Sequence, residues 1–112
     1  MTFDRHDRVR SILSELVATF IREEANPEPL ITLTGVFVSP DYRNATAFIT
    51  TIPDSGEEVA LLFLKRKGND LRSYLKKKSR LKILPYITFE IDRGERHRQH
   101  IDEIVKDIED KT

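Results

Sequence analysis

Cysteine is absent from the chain. No disulfide framework and no thiolate chemistry are therefore available, which fits a reducing compartment. Glycine is scarce: there are four and none are clustered, so no Gly-rich loop can cradle a phosphate. No apolar run approaches the roughly 20 residues that a membrane span needs. The start, Met1-Thr2-Phe3-Asp4-Arg5-His6-Asp7, lacks the basic-then-apolar order of a secretory signal. The expected location is the cytoplasm. Net charge is missing too, since 19 basic residues balance 19 acidic ones.

That neutrality hides a division. Between Lys65 and Lys82 stand Lys65, Arg66, Lys67, Arg72, Lys76, Lys77, Lys78, Arg80 and Lys82, opposed only by Asp70. The segment carries a net +8, and the rest of the chain therefore sums to −8. Such a separation gives an oriented field that steers an anionic partner to one face. With 112 residues, 38% of them apolar and 34% charged, the chain is expected to form a single domain spanning 1–112. A domain of this size buries roughly 65% of its extended surface, enough for one core.

Val9, Ile12, Leu13, Leu16, Val17, Phe20 and Ile21 recur with helical spacing and predict an amphipathic helix over about Asp4–Glu24. Asn26-Pro27-Glu28-Pro29 ends it, because proline lacks the N–H of the helical bond and restricts its predecessor. Leu30–Ser39 and Ala45–Ile52 read as a hairpin about the turn at Pro40–Asn44, with Leu33, Phe37 and Val38 on a sheet face. Gly35 marks a bulge or a close backbone approach. Ser55 and Glu58 fit a capping box for a second helix carrying Val59, Leu62, Phe63 and Arg66 on one side. Gly68 and Asn69 tolerate positive φ and predict a kink, with a third helix over about Asp70–Ser79. Leu81–Asp92 reads as a last strand with Pro85 near its beginning. Ile87, Phe89 and Ile91 face one way there, and Tyr86, Thr88 and Glu90 the other. Ile101, Ile104, Val105 and Ile108 predict a final helix. The order α-β-β-α-(kink)-α-β-α indicates an α+β domain, a three-stranded sheet covered by helices on one side.

Several stretches resemble a known family, in the right order. Arg8-Val9 opens the first helix, and Asn26-Pro27-Glu28-Pro29-Leu30 leaves it. Thr32-Leu33-Thr34-Gly35-Val36 with Ser39-x-Asp41 and Ala45 forms the hairpin. Leu71-Arg72-Ser73-Tyr74-Leu75 precedes Arg80-Leu81-Lys82-Ile83-Leu84-Pro85 and Thr88-Phe89-x-x-Asp92. Together they resemble bacterial ribosome-binding factor A, a small-subunit assembly factor with a KH-like fold related to the type II KH domain. At the bend the family's usual Ala-x-Gly is replaced by Lys67-Gly68-Asn69. The resemblance implies transient binding to the immature small (30S) ribosomal subunit, with a role in late maturation and processing of its 16S rRNA. It implies no cofactor, no small-molecule substrate, no membrane and no enzymatic activity, and the chain is expected to act as a monomer.

On a helix, Arg72, Lys76 and Arg80 follow at i, i+4 and i+8, with Ser73 and Lys77 flanking and Leu71 and Leu75 turned away. A stripe of this kind neutralises phosphates with little base readout. Arginine also binds phosphate bidentately, which singles out Arg72 and Arg80. A merely solvated helix face would alternate charge for i,i+4 pairs, and Lys76-Lys77-Lys78 does not. The expected RNA-contacting residues are Lys65, Arg66, Lys67, Arg72, Lys76, Lys77, Arg80 and Lys82, extended by Arg5 and Arg8, with the kink at Gly68 and Asn69. Tyr42 and Tyr74 offer stacking, whereas Tyr86 is expected to pack within the sheet. The rival is a protein-interaction module whose basic face meets an acidic protein. His97 and His100 at i, i+3 supply only half of a metal site. Glu23-Glu24 and Glu57-Glu58 sit at helix ends, where capping or solvation accounts for them.

Overall fold

A computed structural model describes residues 4–94 of the chain. Helix α1 (Arg5–Glu24) starts at Asp4, whose carboxylate accepts the Asp7 N–H at 2.8 Å. That bond satisfies one of the free donors of the first turn. The helix stops at Ala25, whose extended backbone (ψ 148°) leads into Asn26-Pro27. Its predicted apolar face is the buried one: Val9, Leu13, Val17, Phe20 and Ile21 all enter the core.

Strands β1 (Leu30–Val38) and β2 (Asn44–Ile52) form an antiparallel hairpin, with Leu33 opposite Ile49 and Gly35 opposite Phe48. The extra residue is Thr34, so the bulge anticipated at Gly35 is present. A bulge reverses the two-residue alternation. Ile31 and Leu33 point inward before it, and Val36 and Val38 after it. Phe37 therefore falls on the outer face, 59% exposed, and not on the face of Leu33 and Val38 with which it is expected to group. The Thr34 hydroxyl donates to the Asp92 carboxylate at 2.5 Å and so ties the bulge to the end of the sheet.

The turn is built by Ser39 and Asp41. The Ser39 hydroxyl donates to Asp41 Oδ1 at 2.6 Å and accepts the Asn44 N–H, and Asp41 Oδ1 also accepts the Arg43 N–H at 3.1 Å. The Ser39 hydroxyl first, then the Arg43 N–H, hold the Asp41 carboxyl below its ordinary value of 3.8.

After β2, a 3-10 turn over Asp54–Gly56 runs directly into α2 (Glu57–Arg66). The capping box expected from Ser55 and Glu58 is not formed. Gly56 occupies the cap, with its N–H on Pro53 O at 3.0 Å, because the chain is already turning when α2 begins. A Cβ on Gly56 would lie 2.8 Å from Pro29 Cγ. The glycine is there for that close approach. On α2, Ala60 and Leu64 are buried, whereas Val59 and Leu62, expected on the packed side, are 59% and 56% exposed. Six consecutive apolar residues, Val59–Leu64, leave no apolar phase for periodicity to pick.

The break between helices falls at Lys67, and Gly68 and Asn69 are already the first residues of α3 (Gly68–Lys78). Lys67 bends the chain at φ −87°, ψ 6°. Any residue can adopt this bridge conformation, so the bend needs no left-handed glycine. Helix α3 buries Leu71 and Leu75 and ends at Ser79, so Arg80 lies beyond it. Strand β3 (Tyr86–Ile91) begins immediately after Pro85 and pairs parallel to β2. Its alternation is as predicted, with Ile87, Phe89 and Ile91 inward, but Tyr86 is 64% exposed rather than packed within the sheet.

The result is an α+β fold with sheet order β1-β2-β3 and the KH-like order α-β-β-α-α-β over the described residues. Helices α1 and α3 pack together, α1 against β1 and α2 against β3. The expected final helix, with Ile101, Ile104, Val105 and Ile108, lies outside the described residues, as do His97 and His100.

Two tests follow from this packing. Gly56→Ala gains up to about 1 kcal/mol of backbone preference but forces Pro29 aside, at roughly 1–3 kcal/mol. The expected net result is a lower melting temperature in thermal unfolding. Asp41 has a depressed folded-state pKa, so its stabilising contribution is present above its ordinary value of 3.8 and disappears as pH falls through the lower folded value. The stability advantage of the wild type over Asp41→Asn should therefore be present at neutral pH and close only as the pH falls through that acidic window, as acid titration of both proteins reads.

Candidate nucleic-acid interface

The basic segment occupies the crossover between β2 and β3. Lys65 and Arg66 stand in the last turn of α2, and Lys76, Lys77 and Lys78 in the last turn of α3. Positive charge there complements the unsatisfied carbonyls of each helix end, worth roughly 0.3–1 kcal/mol per site. This offsets the mutual repulsion of the lysines and lets an uncompensated cluster persist. All five side chains are exposed.

The other candidates separate by role. Lys67 is half-buried, 3.7 Å from Glu24 and 3.8 Å from Asp70, with Nζ 5.9 Å from the Phe63 ring centre. It links the end of α1 to the α2–α3 break. The Arg72 guanidinium sits over Tyr86, 4.2 Å from the ring centre, and two of its nitrogens donate to the carbonyls of Pro85 and Leu84 at 3.4 Å. Its stack holds the start of β3 against α3, so part of its five-donor fork is already engaged. The helical stripe of Arg72, Lys76 and Arg80 is not formed as such, because α3 ends at Lys78 and Ser79 turns extended (ψ 162°).

Arg80 instead joins residues distant in sequence. Arg5, Arg8, Arg80 and Lys82 line a cleft of about 410 Å³ with Tyr42 and a floor of Val9, Ile12, Leu81 and Ile83. The extension of the basic surface through Arg5 and Arg8 thus meets the loop after α3. A second depression, about 320 Å³, brings together Arg43, Arg72 and Lys82. A third, about 530 Å³, is a groove between the α2–α3 pair and β3. Leu64, Leu71, Leu75 and Phe89 lie along it, with Lys65, Gly68, Asn69 and Arg72 among its walls. Lys82 is shared by the first two and Arg72 by the last two, so the three are neighbours. Arg66, Lys76 and Lys77 line none of them.

Arg43 is not among the residues that the sequence singles out. It sits alone in a turn, outside any charge run, and only the fold carries it to Lys82; the Tyr86 N–H on Arg43 O at 2.9 Å is the bond that brings β3 there. Tyr74, expected to offer stacking to a base, is half-buried and tilts against Phe20 at 5.5 Å. No group of three or more His, Asp or Glu side chains is arranged to hold a metal among the described residues. No described helix is long and apolar enough to cross a membrane.

The comparisons with known proteins bear on the family and the fold. A family model described as ribosome-binding factor A matches residues 5–105. The ribosome-binding factor A of Aromatoleum aromaticum is 36% identical over 112 residues, covering 94% of this chain and 88% of that protein. The crystal structure of ribosome-binding factor A from Thermus thermophilus is similar in fold. It has a TM-score of 0.72 at 24% identity and covers 80% of this chain and 98% of that one. A model of the Thermus thermophilus factor fitted into a cryo-EM map of a 30S–RbfA complex has a TM-score of 0.66 at 24% identity. It covers 78% of this chain and 94% of that one.

The division between structural and free cations is measurable. Lys67→Ala removes two partly exposed ion pairs and is expected to cost roughly 0.5–1 kcal/mol. Arg80→Ala or Lys82→Ala, whose exposed side chains lie beyond the end of α3, should stay within about 0.5 kcal/mol of wild type. Chemical denaturation of the three variants reads the difference.

Proposed function

The chain belongs to the ribosome-binding factor A family, and from that premise we propose that it acts as a single KH-like domain that binds the small ribosomal subunit and contacts its rRNA electrostatically. Its role is to assist late maturation of the subunit and processing of the 16S rRNA, by binding and release rather than by catalysis. The Thermus thermophilus factor fitted into a map of a 30S–RbfA complex supports the choice of partner.

The observation that carries the reading is the uncompensated charge. Of the proposed contact residues, Lys65, Arg66, Lys76, Lys77, Arg80, Lys82, Arg5 and Arg8 make no ion pair with a described residue. Lys67 and Arg72 belong to the same surface but divide their bonding with the scaffold. Cations held without acidic partners attract phosphate and release its counterions, which makes binding steeply salt-dependent. The apolar walls of the groove and the mixed wall of the cleft add shape, while the phosphate contacts set position.

Lys76→Glu with Lys82→Glu tests the reading; both side chains are exposed, and reversing the charge at the end of α3 is expected to cost roughly 1 kcal/mol. Association with small subunits should be lost at moderate salt. For naked small-subunit rRNA, the slope of log affinity against log salt should shrink by about one per lost phosphate contact. Normal subunit binding by the double variant would refute this surface. A flat salt slope for the wild type on rRNA would favour an acidic protein as the partner instead.

A further inference from the structure

The cleft lined by Arg5, Arg8, Arg80, Lys82 and Tyr42 is built differently from the rest of the basic surface, and shares no residue with the α2–α3 groove. Its four cations come from two distant segments, the start of α1 and the loop after α3. None makes an ion pair with a described residue. The nearby acids on α1 and in the hairpin turn are otherwise engaged: Asp4 caps the helix, Asp7 holds Arg10 at 3.1 Å, and Asp41 holds Ser39 and the Arg43 N–H. The charge of the cleft is therefore left for a ligand.

Tyr42 supplies the second observation. It has φ +63° and is the one described non-glycine residue with positive φ. A bulky side chain rarely takes this conformation, which persists only where the surroundings impose it and is concentrated at functional sites. The Ser39–Asp41 turn fixes the backbone, with the Tyr42 N–H on Ser39 O at 3.0 Å. The ring is held from the side by His6, tilted 54° at 5.3 Å between centres, and by the Arg5 guanidinium at 5.7 Å. His6 is in turn fixed by Nε2 on Val38 O at 2.8 Å. An aromatic ring is thus pre-positioned on the wall of a cationic cleft.

Phosphate binding alone would need only the cations. A ring beside an apolar floor matches a nucleobase, and the volume of about 410 Å³ lies within the roughly 300–1,000 Å³ typical of ligand sites. In a duplex, base faces are covered by their neighbours; in loops and single strands they are free to stack on aromatic side chains. We propose that this cleft seats an unpaired nucleotide of RNA, with its base against Tyr42 and its flanking phosphates between Arg5, Arg8, Arg80 and Lys82. This rests on the RNA-binding reading above and narrows it, giving the chain a preference for a single-stranded segment at this place.

The test uses the full chain, a labelled single-stranded RNA hexanucleotide and a duplex of the same length, with binding followed by anisotropy at one salt concentration. Tyr42→Gly removes the ring and adopts the left-handed backbone without strain. Because the ring also packs against the core, the melting temperature should fall, and binding is measured at a temperature where circular dichroism shows the variant folded. It should bind the single strand about fivefold to a hundredfold more weakly, the range of one lost base–aromatic stack, and the duplex unchanged. Tyr42→Phe should retain single-strand binding. Unchanged single-strand affinity in Tyr42→Gly, or an equal loss on both RNAs, overturns the nucleotide seat while leaving the electrostatic reading intact. Failure of the wild type to bind either RNA overturns both.

Discussion

The parallel pairing of β2 with β3 is the constraint on which the rest of the molecule depends. Parallel neighbours cannot be joined by a tight turn; they need a crossover of a dozen or more residues. Here that crossover is α2 and α3 together, and it contains nearly all of the basic segment. The pairing is anchored at both ends. The Tyr86 N–H bonds Arg43 O at 2.9 Å, and the Asp92 N–H bonds Ile49 O at 2.7 Å. With those ends fixed, Arg80–Pro85 must run back from α3 to the hairpin turn. That return path sets Arg80 and Lys82 beside Arg5, Arg8 and Tyr42.

Charge on this surface is divided between cations bonded to the scaffold and cations with no described acidic partner. Lys67 and Arg72 sit where α2 gives way to α3 and where α3 meets β3, and both bond to the scaffold. Their partly exposed contacts are worth up to about 1 kcal/mol for an ion pair, or roughly 0.5–1 kcal/mol for a cation over a ring. The lysines at the helix ends have no such partner, yet the carbonyl ends of α2 and α3 tolerate them. A surface can therefore be strongly cationic without straining the domain.

Much of the fold is legible because the sequence repeats its signals. Seven apolar residues at helical spacing specify α1, and Asp4 with Asn26-Pro27 sets its limits to within a residue. Alternation over Tyr86–Ile91 gives the faces of β3. The misses have local causes. Phe37 departs from its expected face because a bulge at Thr34 changes the phase, and Gly35 announces a bulge without saying which residue is extra. Val59 and Leu62 depart from theirs because α2 is apolar all round. Backbone freedom points to Gly68 and Asn69 for the bend, but Lys67 makes it in a conformation open to any residue.

The candidate surface is legible as a charge imbalance and opaque as a geometry. A run of lysines states how much charge there is, and tertiary structure alone decides what shares the space. Arg43 and Tyr42 lie next to each other in a turn with no unusual composition, yet they border two different depressions that meet at Lys82. Arg72, the residue best suited by its chemistry to grip a phosphate, spends part of that capacity on Tyr86 and on two carbonyls. Residue type alone therefore does not tell which arginines are already engaged with the scaffold. Type alone also misses side chains that the crossover makes neighbours, because nothing in their local sequence encodes the contact.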